Sequence, residues 1–194
     1  MKKNNFLLRR VPRFLGYTLI ELLVVLAVVA IVTLAATSSF YFSSGAKKAH
    51  TELIELKAAL EYAKYQAITR SETVTVCPSE DGKTCDTKSW SKGVVIFEDK
   101  NADRSIETED KVLRVLPALR DHENLVWRGF PNYAYLQFLP DGLMKGNNGT
   151  FVLCIGAGKN LIAQGLIISK TGRMRFTEGV GPIHKGSNGK LLYC

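Results

Sequence analysis

From Leu22 to Ala36 every residue but Thr33 is apolar, and no charged residue occurs between Glu21 and Lys47. An uncharged apolar run of about 20 residues is long enough to cross a hydrocarbon core as a helix. Beyond Ala46 the pattern changes. Ala49, Leu53, Leu56, Leu60, Ala63 and Ala67 recur at alternating short spacings, while Lys47, Lys48, Glu52, Lys57, Glu61 and Lys64 lie off that stripe. This is the periodicity of an amphipathic helix with one buried face. Neither Gly nor Pro interrupts it between Gly45 and Ser71, so one helix is predicted from about Tyr17 to Arg70, roughly 80 Å long at the α-helical rise. Its part 17–45 is a hydrophobic transmembrane or filament segment. Its part 46–70 is the spine of a globular domain that runs to residue 194.

After the helix the period shortens to two. Thr73-Val74-Thr75-Val76-Cys77 is rich in β-branched residues and predicts a strand. Further strands are predicted at 93–97, 111–116, 133–139, 150–155 and 161–169. Pro140-Asp141-Gly142, Gly146-Asn147-Asn148-Gly149 and Gly156-Ala157-Gly158-Lys159-Asn160 separate the later ones as turns. Short strands joined this way make antiparallel sheet, which an amphipathic helix can cover on one face. The predicted class is therefore α+β: a long N-terminal helix packed on antiparallel sheet built from 73–194.

Charge decides which side of a membrane the domain faces. Lys2, Lys3, Arg9, Arg10 and Arg13 precede the apolar run with no acid among them, which keeps residues 1–15 cytoplasmic and the domain outside. Glu21 stands at the threshold of the run. A carboxylate there must stay near the surface, stay neutral or meet a positive charge, so it is a functional candidate. A secretory signal would place its cleavage site after the apolar run; the one Gly near the basic leader, Gly16, comes before it. The formal charge of +8 on 194 residues falls to +3 once the five leader cations are removed, so any basic surface of the remaining chain is local.

Four cysteines in an extracytoplasmic domain favour disulfides, and three pairings are open to them. Cys77 and Cys85 bracket a turn-rich loop and are the natural local pair; by exclusion Cys154 then joins Cys194. A four-cysteine zinc site lacks the usual paired short spacings. The segment 99–110 places Asp99, Asn101 and Asp103 at alternate positions with Ile106 further on, as in a calcium loop. Arg104 stands where such a loop needs Gly, and Asp110 where it needs Glu, so an acidic hairpin loop is the prediction. His50, His122 and His184 are isolated, and no nucleophile motif or phosphate-cradling glycine loop is present. The expectation is a protein that is not an enzyme and needs no metal or cofactor.

The cations gather near the C-terminus. Lys170-Thr171-Gly172-Arg173-Met174-Arg175-Phe176 is a Gly turn followed by alternation that puts Arg173 and Arg175 on one strand face. Lys159, Lys185 and Lys190 are also in this region, with Glu178 as its single acid. Such a basic face suits a polyanion. It also suits a solvated edge strand whose charges deter aggregation.

Basic leader, Gly16, Tyr17-Thr18-Leu19-Ile20-Glu21 and apolar run together resemble the signal of type IV prepilins and type II secretion pseudopilins. The departures are Tyr17 in place of the usual Phe and the lack of a proline in the run. The resemblance implies removal of the leader 1–16 by a prepilin peptidase, N-methylation of Tyr17 and a role for Glu21 in assembly. Three further stretches are similar to the GspH/FimT family of minor pilins and pseudopilins, nearest to its FimT-type members. They are Val76-Cys77-Pro78-Ser79, with Trp90 and Gly93-Val94-Val95-Ile96-Phe97; Phe151-Val152-Leu153-Cys154; and Ser169-Lys170-Thr171-Gly172-Arg173-Met174-Arg175. The resemblance implies a pilin-like fold and association with other major and minor pilins. It also implies passage from the inner membrane to the pilus and cell surface. Gly172, Arg173 and Arg175 match the Gly-Arg-x-Arg motif of the DNA-binding members. That match implies double-stranded DNA as a partner in natural transformation, held by Arg173, Arg175, Lys170, Gly172, Lys185 and Lys190. The other implied role is a structural pseudopilin in a type II secretion filament.

Overall fold

The computed structural model describes residues 16–85, 88–146, 148–156, 161–177, 183–185 and 191–193, without the side chains of 34–43, 183–185 and 191–193. Two compact units are present, Met1–Phe40 and Tyr41–Cys194. One helix, α1 (Leu19–Arg70), contributes to both. In the first unit it begins at Thr18, whose hydroxyl accepts the amide of Glu21 at 3.3 Å. This is the N-cap bond that satisfies an otherwise orphan donor, and Glu21 occupies the position where a carboxylate complements the helix dipole. Every described side chain from 16 to 33 is exposed. Among the described residues no helix is long and apolar enough to cross a membrane.

In the second unit the helix buries the predicted stripe, with Ala59 added to it: Ala49, Leu53, Leu56, Ala59, Leu60, Ala63 and Ala67 are all within the core. The strands form two antiparallel four-stranded sheets and a hairpin. The first sheet has the order β3-β2-β1-β5, from β1 (Val74–Pro78), β2 (Val94–Glu98), β3 (Val112–Leu116) and β5 (Leu136–Phe138). The second has the order β4-β6-β7-β8, from β4 (Glu123–Gly129), β6 (Gly149–Ile155), β7 (Ile162–Ile168) and β8 (Met174–Phe176). The hairpin pairs β9 (Ile183–Lys185) with β10 (Leu191–Tyr193).

Alternation along the strands sorts the core. Val94 and Ile96 of β2, like Phe151 and Leu153 of β6, join the helix stripe in one large cluster. Their neighbours Val95 and Phe97 pack with Cys77, Cys85, Ile106 and Tyr135 on the other face of the first sheet, and Val152 and Cys154 pack with Ala163 on the other face of the second. The sequence predicts one covered face; β1, β2, β5, β6 and β7 are buried on both, while β3, β4 and β8 keep exposed positions. Three ion pairs tie the helix to the sheets, Lys48 to Glu123 of β4, Arg70 to Glu98 of β2 and Glu55 to Arg114 of β3, and the carboxylates of Glu123 and Glu98 are buried.

Two strand predictions need correction. β4 is a strand beyond those predicted, with Leu125 and Trp127 pointing inward and Asn124 and Arg128 outward. The predicted 133–139 strand shrinks to Leu136–Phe138, because 131–134 are exposed and pair with no strand.

The Cys77–Cys85 disulfide is present. Cys154 is disulfide-bonded as well, and its expected partner Cys194 lies outside the described residues. Within the loop that Cys77 and Cys85 close, Asp81 accepts the amides of Lys83 at 2.7 Å and Thr84 at 2.9 Å. These two bonds, to Lys83 first, hold its carboxyl down from the ordinary 3.8 to about 2. Because the folded value is depressed, the stabilisation is complete above the unfolded value of 3.8 and fades as pH falls from there through about 2. A carboxyl NMR titration is expected to place the Asp81 midpoint near 2; a midpoint at the ordinary carboxylate value would mean the amides do not hold it.

Candidate nucleic-acid interface

The acidic loop 99–110 joins β2 to β3 as a hairpin connection. Asp99 is fully buried, and its oxygens are occupied by protein donors. Oδ2 accepts the Thr75 hydroxyl at 2.5 Å, the Gln137 amide at 3.0 Å and the Arg104 backbone N–H at 3.1 Å, and Oδ1 accepts the Asp103 backbone N–H at 3.1 Å. The carboxylate that opens the calcium-like spacing is thus a loop anchor. Among the described residues no cluster of His, Cys, Asp or Glu is placed to hold a metal ion.

The basic face is built on the connection from β7 to β8. Gly172 has φ +69°, a left-handed conformation that glycine adopts without steric cost. The turn closes through Gly172 N–H to Ser169 O at 2.8 Å and Ser169 N–H to Arg173 O at 3.0 Å. The Arg173 N–H also reaches Ser169 Oγ at 3.2 Å. The chain leaves the turn with Arg173 exposed, Met174 half-buried and Arg175 exposed, the alternation the sequence predicts. Both guanidinium-bearing residues line one open depression of about 330 Å³ together with Asn148, Ile167 and Ser169. Two cations, a hydroxyl and an amide around a shallow concavity can accept a phosphodiester oxygen cluster, since arginine offers paired donors.

Lys170 is exposed on the same turn. Gly172 is not at the surface: it is buried, and a Cβ there would come within 2.9 Å of Gly142 O. Its expected place among ligand-contacting residues is corrected to shaping the turn, because the turn packs against the one at 140–143. Lys185 belongs to β9, and its side chain, like all of Lys190, lies outside the described residues.

The tertiary structure adds two cations that the sequence pattern did not connect to this face. Lys64 of α1 donates to Thr171 O at 3.0 Å across 107 positions of sequence. Lys145 is exposed and follows Met144, whose amide donates to Lys170 O at 2.9 Å. Neither has a sequence signal, because each is one lysine among many on solvated surfaces. One acid is near: Asp141, whose Oδ1 accepts the Leu143 amide at 2.9 Å.

The family described as Type II transport protein GspH matches residues 53–172, and the prokaryotic N-terminal methylation motif matches residues 12–37. Among solved structures, two crystal forms of the type IV minor pilin FimU of Pseudomonas aeruginosa are similar. One has 23% identity and a TM-score of 0.51 over 66% of this chain and 87% of that one. The other has 22% identity and a TM-score of 0.50 over 66% of this chain and 90% of that one. The minor pseudopilin EpsH from the Type 2 Secretion System of Vibrio cholerae aligns with 13% identity and a TM-score of 0.47, over 66% of this chain and 94% of that one. No curated protein matches the chain significantly. The GspH family match covers more than half of the sequence, and the α+β arrangement of one long helix on two antiparallel sheets is shared with FimU. The chain belongs to the GspH family of minor pilins and pseudopilins and carries their N-terminal methylation motif.

Proposed function

We propose that this protein is a minor type IV pilin that binds extracellular double-stranded DNA for uptake. The observation that carries the reading is the joint exposure of Arg173 and Arg175 on one depression with Ser169 and Asn148. Contacts of this kind go to phosphates and carry no sequence preference. One subunit binds weakly, and several along a filament multiply the effect. The precursor is held in the inner membrane by 17–45 with its N-terminus cytoplasmic. A prepilin peptidase cuts after Gly16 and methylates Tyr17, and Glu21 then neutralises a terminal amine in the filament beside other major and minor pilins. The exposed apolar side chains of 19–33 support this, since they need either lipid or neighbouring helices for cover. Binding and assembly, not catalysis, are the proposed roles.

One observation favours a second reading, a structural pseudopilin of a secretion filament: the family match ends at Gly172, just before the arginines. The Arg173→Gln, Arg175→Gln double variant separates the two. It is expected to fold, since both side chains are exposed, and to lose DNA retention and transformation. The slope of log affinity against log salt becomes shallower by about one unit for each arginine lost. A folded double variant that retains DNA at wild-type strength in the same salt overturns the DNA reading in favour of the structural one.

A further inference from the structure

We propose that Lys64 is a positioning residue for the arginine turn, an inference that rests on the polyanion reading only for its consequence in binding. The local bonds of the turn, Gly172 N–H to Ser169 O and Ser169 N–H to Arg173 O, close the loop upon itself. They do not fix it to the rest of the domain. Two successive carbonyls do that. Lys170 O accepts the amide of Met144 at 2.9 Å, and Thr171 O accepts the ammonium of Lys64 at 3.0 Å. The first bond ties the turn to the segment after β5, the second to α1, so the direction in which Arg173 leaves is set by two elements remote in sequence.

The stem of Lys64 matters as much as its charge. A Cβ on Gly172 would come within 2.9 Å of Lys64 Nζ and 3.0 Å of its Cδ, and a Cβ on Gly142 within 3.1 Å of its Cε. Both glycines have positive φ, +69° and +78°, and the lysine chain runs over the space left by their missing side chains. A short residue at 64 leaves that space empty and Thr171 O without its donor. With its ammonium held on the Thr171 carbonyl, Lys64 acts here by orienting the arginines; the neutral carbonyl leaves its charge in place, so a direct phosphate contact by Lys64 is read separately, from the salt slope. A positioned guanidinium loses less freedom on binding, which is how preorganisation raises affinity.

The test uses the full-length protein in detergent, with Lys64→Met, which keeps an unbranched stem and removes donor and charge, and Lys64→Arg, which restores both. Without DNA, amide exchange across 169–173 is expected to speed up about tenfold in Lys64→Met, with β6 unchanged as the reference, and to return towards wild type in Lys64→Arg. With a duplex of mixed sequence, Lys64→Met is expected to bind about three- to tenfold more weakly at an unchanged salt slope. Unchanged exchange in Lys64→Met overturns the proposal. So does a slope shallower by about one unit, which would make Lys64 itself a phosphate contact. If the arginine double variant retains DNA, the DNA reading fails, and the exchange measurement still decides the role of Lys64.

Discussion

Replacing Phe151 with alanine is expected to cost the domain about 3–5 kcal/mol, the range for removing a large aromatic from a packed core. Phe151 lies in β6, an inner strand of the second sheet, and is fully buried. Its ring is 4.8 Å from that of Trp90 at 76° and 4.6 Å from that of Trp127, so three aromatics share one cluster facing the helix. Two rigid indoles cannot flow into the vacated space, and that keeps the cost near the upper part of the range. Against a typical domain stability of about 5–15 kcal/mol, the loss is large enough to read as a drop in the urea midpoint. A cost below about 1 kcal/mol would mean that the cluster collapses around the gap, contrary to the packing described.

Asp99→Ala is expected to be the next most damaging change. Thr75, Asp99 and Gln137 come from β1, the end of β2 and β5, and all three are buried. With the carboxylate gone, the Thr75 hydroxyl and the Gln137 amide lose an acceptor away from water. About 1–3 kcal/mol is lost for each donor left unsatisfied. Gln137 Nε2 still donates to Thr75 Oγ1 at 3.0 Å, which keeps the loss below the roughly 2–6 kcal/mol of two fully unsatisfied donors. The backbone of 103–104 should loosen at the same time, since its two amides also end on Asp99. Urea unfolding supplies the first quantity and amide exchange of the loop the second. If stability falls while the loop amides stay protected, Asp99 supports the sheet but does not anchor the loop.

The parts of this protein that depend on local periodicity were legible in the sequence. Six positions spaced by three and four gave the buried helix face from Ala49 to Ala67, and all six are in the core. Five predicted strands other than 133–139 lie within two residues of those observed. β4 obeys the same period of two but carries Glu123, Asn124 and Arg128 among its apolar residues, so its alternation is masked by polar and charged neighbours. The Asp99-x-Asn101-x-Asp103 spacing was legible too, yet spacing does not reveal where carboxylate oxygens point. In the folded domain those of Asp99 face Thr75 and Gln137, residues 24 and 38 positions away.

By itself the sequence determined the helix, the class, the local Cys77–Cys85 pairing and the identity of the two arginines. Each depends on residues near one another in the chain, whose side-chain types and intervals state their chemistry directly. Tertiary structure alone decided the pairing of β4 with β6, the burial of both faces of β1, β2, β6 and β7, and the meeting of Gly172 with Gly142 and Lys64. These contacts join segments separated by many residues. They arise when the helix and both sheets close on one core, which only the whole fold specifies.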